Sequence, residues 1–406
     1  MTAVTVPQYV DDGYLELVSV IGTGAYGVVY LAVDSRYGQP VYRAVKCLRR
    51  TGLDARQRHF QRREIALHRL ACAHRSIITM DRLIEEGDYL FVVMDYGEEG
   101  DLFAMITDQQ RYVGDDELIR DVFLQLLDGV QFLHQLGIAH RDIKPENIVC
   151  SNDGQSVYIC DFGLATSEVA SSEFGCGSTF YIAPECLGEW FPENPTYPTQ
   201  PGDVWSLGII LVNLVCGRNP WRIASPSDES FNSFLKDPNF LRRILPVSEQ
   251  CLYILTQIFT VDPAERISLA CLRKLILEVD TFTMDEEELR LTHIAAQTQT
   301  APAPAYQVEQ EWTNDEVFPF DQETPSLRAD SGSPSPDAQF SRSSSSNGGS
   351  LPPTPLLSAA SAALPPLSHH QQIWDMLKPD CRREELRYSP NSPDPLTSHS
   401  PNPFFR

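Results

Sequence analysis

The sequence contains no hydrophobic run long enough to cross a membrane. Its longest apolar stretch, at residues 207–216, is far shorter than the roughly 20 residues that span a bilayer. The N-terminal residues MTAVTVPQYVDDGY have neither the basic start nor the apolar centre of a signal peptide. We therefore expect a protein of the cytoplasm, the nucleus or both, with no membrane partner.

Basic residues are scarce. The chain has 32 Lys and Arg residues against 55 Asp and Glu residues, which leaves a formal net charge of −23. Most of such a surface repels nucleic acid, because the phosphate backbone is also negative. We therefore expect no nucleic-acid partner, and we expect the chain to be a monomer.

Closely spaced cysteine pairs are absent. The ten cysteines occur singly, so the sequence has no CxxC pair of the kind that zinc sites and thioredoxin-like motifs need. We therefore expect reduced thiols. The length of 406 residues allows one large domain with an extension, or two or three small domains, and composition has to decide between them.

Composition changes sharply after about residue 282. Residues 9–282 show apolar periodicity with regular turn signals, whereas residues 283–406 are rich in Pro, Ser, Thr, Gln and Ala. Such a tail has too few large apolar side chains to offset the entropy of ordering, so we expect it to be mostly disordered. Residues 373–377 (IWDML) are either an isolated apolar cluster or one helical turn that docks elsewhere.

Within residues 9–282, a strand-rich part precedes a helical part. Runs of β-branched and aromatic residues predict strands at residues 15–21, 28–33, 42–48 and 89–94. Apolar residues at three- and four-residue spacing predict helices at residues 54–70, 118–135 and 204–216. This order predicts a small β-rich half and a larger helical half with a cleft between them.

A glycine-rich segment, residues 22–29 (GTGAYGVV), lies between the first two predicted strands. Glycine allows a backbone to approach phosphate groups and to point N–H groups at them. The segment could be a phosphate-binding loop, a dinucleotide-binding loop or an ordinary hairpin. A dinucleotide-binding loop requires a helix directly afterwards, and here a strand follows, which disfavours that alternative.

Lys46 lies in the third predicted strand, where its side chain can reach the α- and β-phosphates of a nucleotide. A lone lysine on a strand is usually a solvated edge residue. Glu64 falls on the first predicted helix, on the same face as Phe60 and Leu67. An ion pair between Glu64 and Lys46 would position the lysine, although a glutamate on a helix surface is also common.

Two downstream motifs decide between these alternatives. The first is HRDIKPEN at residues 140–147, and the second is DFG at residues 161–163. With these motifs the chain resembles the protein kinase family, whose catalytic loop and metal-binding loop have these residues at this separation. APE at residues 183–185 resembles a further part of the family, in which Arg266 would pair with Glu185.

The resemblance implies an α+β, bilobal protein kinase fold. A small antiparallel β-rich N-lobe with one regulatory helix would occupy residues 9–94, the hinge residues 95–98, and a larger, mainly helical C-lobe residues 99–282, before the disordered C-terminal tail. It also implies a non-specific serine/threonine protein kinase that uses ATP and Mg²⁺ and phosphorylates protein substrates. Lys144, two residues after Asp142, matches the serine/threonine type.

The resemblance also assigns catalytic and metal-binding roles. Asp142 would accept or orient the proton of the substrate hydroxyl, and Lys144 would stabilise the γ-phosphate. Asn147 and Asp161 would bind Mg²⁺. The implied catalytic residues are Lys46, Glu64, Asp142, Lys144, Asn147 and Asp161.

A second set of residues would bind the nucleotide. Apolar side chains would enclose the adenine, hinge backbone groups would bind its edge, Met94 would take the gatekeeper position, and Asp101 would contact the ribose. The implied nucleotide-binding residues are Ile21, Gly22, Thr23, Gly24, Ala25, Tyr26, Gly27, Val28, Val29, Ala44, Lys46, Met94, Asp95, Gly97, Asp101 and Val149.

The activation segment departs from the family pattern. Counting back from the APE motif places Ser178 at the substrate-facing position and Phe174 where a phosphorylated residue is usual. Arg141 directly precedes Asp142, and in this family an arginine at that position binds a phosphate or an acidic partner. The hypothesised partners of Arg141 are Glu173, phosphorylated Ser171 and phosphorylated Ser172.

The resemblance extends to substrate preference and subfamily. Glu146 and Asp101 are acidic, but Asn213 replaces an acidic residue of strongly basophilic kinases, so a moderate preference for basic substrates is predicted. The chain resembles the fungal kinases called negative regulators of sexual conjugation and meiosis, which implies a role in nutrient, mating or meiosis signalling. The segments that carry this resemblance are residues 174–181, 216–221 and 224–228.

A pseudokinase that acts as a scaffold or binding module is the main alternative. It is disfavoured because all of the implied catalytic residues are present. In the tail, Ser-Pro and Thr-Pro dipeptides suit an upstream proline-directed kinase, whose action would tune localisation or turnover. These dipeptides begin at Thr324, Ser333, Ser335, Thr354, Ser389, Ser392 and Ser400.

Overall fold

The computed structural model describes residues 6–24 and 27–290. Ala25 and Tyr26 of the glycine-rich segment lie outside the described residues. So do residues 291–406, which include the cluster at 373–377 and the Ser-Pro and Thr-Pro sites. The described residues form a β-rich lobe followed by a helical lobe, which confirms the α+β bilobal interpretation.

Six antiparallel strands form the first lobe, in the spatial order β1-β2-β3-β4-β6-β5. The strands are β1 (Tyr9–Val10), β2 (Leu15–Gly24), β3 (Gly27–Asp34), β4 (Val41–Arg49), β5 (Met80–Glu86) and β6 (Tyr89–Asp95). The four predicted strands are confirmed as β2, β3, β4 and β6, each slightly longer than predicted. Gly24 pairs with Gly27, so the described residues of the glycine-rich segment lie at the adjoining ends of β2 and β3.

One helix, α1 (Ala55–Ala71), confirms the prediction for residues 54–70. It begins with a capping box: Asp54 accepts from the backbone amide of Gln57 at 2.7 Å, and the Gln57 side chain accepts from the amide of Asp54 at 3.0 Å. Ile65 packs against a cluster of buried sheet residues. The buried residues of the helix are Glu64, Leu67, His68 and Ala71.

A cluster of charges joins the two edges of the sheet. Arg82, on the edge strand β5, contacts Asp34 on β3 at 2.7 Å and Asp11, which follows β1, at 2.8 Å. The amide of Asp11 also donates to Glu86 on β5 at 3.1 Å. The side chain of Asp34 is fully buried, so its charge depends on Arg82 for compensation. The first strand is thereby fixed to the opposite edge of the sheet.

We expect Arg82→Ala to lower the free energy of unfolding by about 3–5 kcal/mol, because it leaves a buried carboxylate unpaired. Arg36→Ala is the matched control. Arg36 pairs with Asp11 near the surface, and such a pair contributes about 0–1 kcal/mol. Denaturant unfolding of the two variants measures the difference, and equal losses would contradict the assignment.

The same pair predicts a dependence on pH. Burial alone would raise the pKa of Asp34, but the hydrogen bond and charge of Arg82 bring the pKa below its ordinary value. Ionised Asp34 therefore contributes stability above the ordinary carboxylate pKa of about 3.9, and this contribution is lost as the pH falls through the lower folded-state pKa. The stability difference between the wild type and Arg82→Ala should shrink below about pH 4.

The second lobe is built around two long helices, α3 (Asp116–Gln135) and α5 (Gln200–Cys216), which confirm the remaining helix predictions. Nearly every residue of α5 is buried, which explains why its sequence is apolar all round. Among the described residues, no helix is long and apolar enough to span a membrane. The other elements are α2 (Leu102–Thr107), β7 (Ile148–Ser151), β8 (Ser156–Ile159), β9 (Ala170–Ser171), α4 (Pro184–Leu187), β10 (Tyr197–Pro198), α6 (Glu229–Lys236), α7 (Phe240–Ile244), α8 (Glu249–Ile258) and α9 (Leu269–Glu278).

Aromatic rings fill the core between α5 and its neighbours. The ring of Trp205 lies 5.0 Å from Phe259, and Trp221 lies 4.8 Å from Phe231. A Cβ on Gly208 would come within 2.4 Å of Ile258, so glycine permits α5 to approach α8 closely. The cysteines of the described part of the chain are free thiols.

Residues 283–290 still contact the helical lobe. The amide of Met284 donates to the carbonyl of Pro246 at 2.9 Å, and Thr283 forms a β-bridge with Val247. Glu288 pairs with Arg242 at 2.7 Å. Contacts with the lobe therefore continue past the composition change near residue 282.

Candidate active site

A buried carboxylate at the start of α5 holds the loop that contains Asp142. Asp203 accepts hydrogen bonds from the backbone amides of His140 at 2.9 Å and Arg141 at 2.8 Å, and it contacts His134 Nε2 at 2.9 Å. Arg141 has a φ of 64°, a left-handed conformation that is costly for a residue with a side chain. The two hydrogen bonds to Asp203 hold the backbone in this conformation immediately before Asp142.

Four hydrogen-bond donors surround the carboxylate of Asp142. Asn147 Nδ2 lies 2.9 Å and Lys144 Nζ 3.1 Å from its Oδ2. The backbone amide and the hydroxyl of Ser178 donate to Oδ1 at 3.1 Å and 2.9 Å. Lys144 also donates to Ser178 Oγ at 2.7 Å. One carboxylate thus joins the loop at residues 140–147 to the segment before the APE motif.

Lys46 lies between two carboxylates. Its Nζ is 2.5 Å from Glu64 Oε1, as the sequence predicted, and 3.0 Å from Asp161 Oδ1. Burial alone would lower the pKa of Lys46, but the charges of Asp161 and Glu64 outweigh burial and raise the pKa above its ordinary value. The amine therefore stays protonated at neutral pH, and it links β4, α1 and the DFG motif.

Asp161 is presented by a strained backbone. Its φ is 60°, and its Oδ1 accepts a hydrogen bond from the amide of Gly163 at 3.3 Å. Burial would raise the pKa of Asp161, but Lys46 holds it below its ordinary value, so the carboxylate is ionised. The next residue, Phe162, is buried and anchors this turn in the core.

The sequence interpretation missed His68, which connects α1 to the DFG motif. The His68 ring stacks on Phe162 with a centroid distance of 4.7 Å, and its Nε2 lies 2.8 Å from the carbonyl oxygen of Ile78. The available signal was its position four residues after Glu64, which places both side chains on one face of the helix. Through His68, the helix that carries Glu64 also contacts the residue next to Asp161.

The implied nucleotide-binding residues of β2, β3 and β4 lie on adjacent strands. Val29 pairs with Lys46, and Ala44 pairs with Met94. Gly22 pairs with Val29, and Thr23 with Val28. The side chain of Ile21 is 45% exposed, so it is available to cover a ligand. Gly27 has a packing role, since a Cβ there would lie 2.5 Å from the carbonyl oxygen of Cys47.

The hinge packs closely on β7. A Cβ on Gly97 would lie 2.9 Å from Val149 Cβ and 3.0 Å from the carbonyl oxygen of Cys150, so only glycine fits there. The side chain of Asp95 pairs with Arg43, and its backbone amide donates to the carbonyl of Thr79 at 3.0 Å. Asp101 forms a bridge with Val149 and caps α2 by accepting from the amide of Ala104 at 2.8 Å.

The oxygen atoms near Lys46 fit a hard divalent cation. Asp161 Oδ2 and Asn147 Oδ1 are not used by the hydrogen bonds of these residues, because Asp161 bonds through Oδ1 and Asn147 donates through Nδ2. Carboxylate and amide oxygens are ligands that Mg²⁺ accepts, usually together with phosphate oxygens. In the described part of the chain, no group of three or more His, Cys, Asp and Glu side chains could hold a metal alone. The donor set therefore fits an ion shared with a nucleotide.

Arg141 is held by the activation segment. Its Nη1 and Nη2 lie 3.0 Å and 3.1 Å from Glu173 Oε2, and Nη1 lies 3.2 Å from Ser171 Oγ. Its Nε donates to the carbonyl of Leu164 at 2.7 Å. The side chain of Arg141 is only 4% exposed, so these partners replace its hydration. Of the three hypothesised partners, Glu173 supplies the carboxylate in this structure.

Phe174, at the position where a phosphorylated residue is usual, packs against Tyr197. Its ring centroid lies 5.3 Å from that of Tyr197, and the Tyr197 hydroxyl donates to the carbonyl of Glu173 at 2.9 Å. Glu185 and Arg266 form the predicted ion pair at 2.6 Å and 2.8 Å, both nearly fully buried. The two ends of the activation segment are thus fixed by separate contacts.

Comparison with known proteins decides the family. A family model described as the protein kinase domain matches residues 15–276. The chain belongs to the protein kinase family. This confirms the resemblance inferred from the motifs at residues 140–147, 161–163 and 183–185. A protein kinase domain uses ATP with a divalent metal ion and acts on protein substrates.

The similar proteins include fungal kinases. The chain is 45% identical to "Negative regulator of sexual conjugation and meiosis" of Schizosaccharomyces pombe, over 66% of this chain and 61% of that protein. It is 38% identical to "Serine/threonine-protein kinase SKS1" of Saccharomyces cerevisiae, over 57% of this chain and 50% of that protein. It is 35% identical to "Serine/threonine-protein kinase ksp1" of Schizosaccharomyces pombe, over 66% and 57%. The matches therefore span 50% to 61% of the length of these relatives.

Proposed function

We propose that the protein is a non-specific serine/threonine protein kinase that transfers the γ-phosphoryl group of ATP, bound with Mg²⁺, to Ser and Thr hydroxyls of proteins. The observation that carries the proposal is the convergence of charged and amide side chains from β4, α1, the catalytic loop and the DFG motif. These side chains are Lys46, Glu64, Asp142, Asn147 and Asp161. A pseudokinase scaffold would not need this arrangement.

The side chains of the site would position the reactants and balance charge. Bound ATP with its metal ion would supply the phosphoryl group. Protonated Lys46, held by Glu64, would bind phosphate oxygens. Lys144 would offset the negative charge that spreads over the transferring group, and Asp142 would orient the attacking hydroxyl and take up its proton.

The crowding around Asp142 indicates how a substrate hydroxyl would enter. A carboxylate has about four acceptor sites, and donors from Asn147, Lys144 and Ser178 occupy them. An incoming hydroxyl must therefore replace one donor. The Ser178 hydroxyl is the easiest to displace, because it can rotate while the amide of the same residue keeps its own bond. Ser178 would then face the substrate, in agreement with its position before the APE motif.

We propose a moderate preference for basic residues in the substrate, which the surroundings of Glu146 support. Burial raises the pKa of Glu146, and its Oε2 is buried without a hydrogen-bond partner among the described residues. A substrate Arg or Lys would supply that partner. Asn213 is not available for this purpose, because it is buried and bonded to Tyr181 at 3.1 Å and Asn219 at 2.7 Å.

The cellular setting of the protein is proposed from likeness and composition. Likeness to a fungal protein named as a negative regulator of sexual conjugation and meiosis supports a role in nutrient, mating or meiosis signalling. We place the protein in the cytoplasm, the nucleus or both, as a monomer. An upstream proline-directed kinase would act on the Ser-Pro and Thr-Pro sites, which lie outside the described residues.

A transfer assay tests the proposal. The purified full chain is incubated with ATP, Mg²⁺ and an arrayed peptide library. We expect phosphate on Ser and Thr but not Tyr, enrichment of Arg or Lys near the acceptor, and loss of transfer when EDTA removes the metal. Nucleotide binding without transfer under all conditions would favour the pseudokinase instead.

A further inference from the structure

The outer face of α1 carries a concentration of positive charge. The helix has five arginines in 17 residues, and its one acidic residue, Glu64, is buried and paired with Lys46. The helix therefore has a formal net charge of +4 in a chain whose net charge is −23. This is the reverse of the charge of the chain as a whole.

Three of the arginines form a stripe that points to solvent. Arg58, Arg62 and Arg69 are exposed, and their spacings of four and seven residues place them on one face of the helix, opposite its buried face. We name these three residues the arginine stripe. Arg58 donates to the carbonyl of Leu53 at 2.5 Å. None of the three has a carboxylate partner within residues 6–24 and 27–290.

The arrangement opposes the stability of the helix itself. Like charges four residues apart repel each other, as Arg58 and Arg62 do. Apart from the N-cap Asp54, the start of the helix contains no acidic residue, although the N-terminal end of a helix favours negative charge. Like charges that no carboxylate of residues 6–24 and 27–290 compensates indicate a functional constraint. A bound acidic partner would supply the missing compensation.

A segment of the same chain has the complementary composition. Residues 309–318 (EQEWTNDEVF) carry four carboxylates, and the sequence has no Lys or Arg from residue 291 to residue 327. The segment also contains Trp312 and Phe318. Next to the arginine stripe, Leu70 is 61% exposed and offers an apolar contact for such rings. The segment lies outside the described residues.

We propose that the arginine stripe is a docking surface for residues 309–318 of the same chain. Its carboxylates would pair with the guanidinium groups, which bind carboxylates through two parallel hydrogen bonds. Single exposed ion pairs are weak, but a tethered segment is present at an effective concentration of roughly millimolar, so several weak pairs suffice. The acidic character of the chain repels such a segment from most other surfaces, which leaves the stripe as the favoured site.

The connecting chain is long enough for this contact. Eighteen residues separate Arg290 from Glu309, and when extended they reach roughly 60 Å. Because α1 also carries Glu64, occupancy of the stripe would act on Lys46 through the helix. That consequence rests on the proposed function, whereas the docking does not.

Hydrogen–deuterium exchange of the full chain tests the docking. In the variant Arg58→Gln/Arg62→Gln/Arg69→Gln, we expect the amides of residues 309–318 to exchange about tenfold faster than in the wild type. The same increase is expected in Glu309→Gln/Glu311→Gln/Asp315→Asn/Glu316→Gln. The second variant alters no residue of α1, so it cannot act by unfolding the helix.

A control variant removes equal charge elsewhere. Arg218→Gln/Lys236→Gln/Arg243→Gln changes three exposed residues of the helical lobe and should leave the exchange of residues 309–318 unchanged. Reversing the charges of both surfaces, with Glu in the arginine stripe and Lys at the four acidic positions of residues 309–318, should restore slow exchange. Asp142→Asn should dock like the wild type, so a failure of docking and a failure of catalysis can be told apart.

Two results would overturn the proposal. The first is equal exchange of residues 309–318 in the wild type and in both neutralised variants, which would mean that the segment does not dock on the stripe. The second is protection of residues 309–318 from exchange that increases with protein concentration. This result would mean that the stripe is occupied by a second copy of the chain.

Discussion

Asp142→Asn should lower kcat for phosphoryl transfer by roughly 10²- to 10⁴-fold, the range that a positioned general base contributes. The physical reason is twofold. An amide cannot take up the proton of the substrate hydroxyl, and its N–H₂ group would face the donors that now surround the carboxylate of Asp142. Asn147 and Ser178 would then each lose part of their hydrogen bonding. Steady-state kinetics with a peptide found by the library assay measures the loss.

Nucleotide binding separates a catalytic effect from a structural one. Asp142 makes no contact with Lys46, so calorimetry should give an affinity of Asp142→Asn for ATP and Mg²⁺ close to that of the wild type. Asp161→Asn is the informative partner variant, because it removes a proposed metal ligand and should weaken that affinity. Full transfer activity in Asp142→Asn would contradict the proposed role of this carboxylate.

Glu173→Gln should lower kcat by roughly 10- to 100-fold, which corresponds to about 1.4–2.8 kcal/mol. The change keeps the shape of the side chain but removes the charge that compensates buried Arg141. Arg141 precedes Asp142 and also bonds to Leu164 and Ser171, so its displacement would disturb the catalytic loop and the activation segment together. The measurement is kcat beside KM for the peptide.

Ser172→Ala is the matched control for this prediction. Ser172 is exposed, and its backbone carbonyl, not its hydroxyl, takes part in the local structure. If Glu173 is the partner of Arg141, then Ser172→Ala and treatment of the wild type with phosphatase should both leave activity unchanged. Loss of activity after phosphatase treatment would mean that a phosphorylated residue holds the segment instead.

The sequence predicted four strands and the three longest helices, but it missed the shorter helices and the short or charged strands. Strands β2, β3, β4 and β6 consist mainly of apolar, β-branched and aromatic residues. Strand β5 (Met80–Glu86) was missed because four of its seven residues are charged. Charged residues are typical of an edge strand, which must resist pairing with other chains. Strand β1 (Tyr9–Val10) is too short to give any periodic signal.

For the site, motifs encode the groups but not all of their partners. The pairing of Lys46 with Glu64 was accessible, because each lies on an element whose type and buried face can be predicted. The contact of Ser178 with Asp142 could not be predicted, because the two residues are 36 positions apart and the conformation of the activation segment brings them together. The packing role of Gly27 was also hidden, because its neighbour, the carbonyl of Cys47, belongs to another strand.

The network around Arg82 has a consequence for where the catalytic unit begins. The region shared with the family starts at residue 15, but Asp11 reaches back across the sheet to Arg82. A shortened chain starting at residue 15 would keep every proposed catalytic group. It would lack Asp11, so Arg82 would have fewer counter-charges and the link between the two edges of the sheet would be lost. A chain trimmed to the shared region should therefore unfold at a lower temperature than the longer chain, although it retains the proposed catalytic groups.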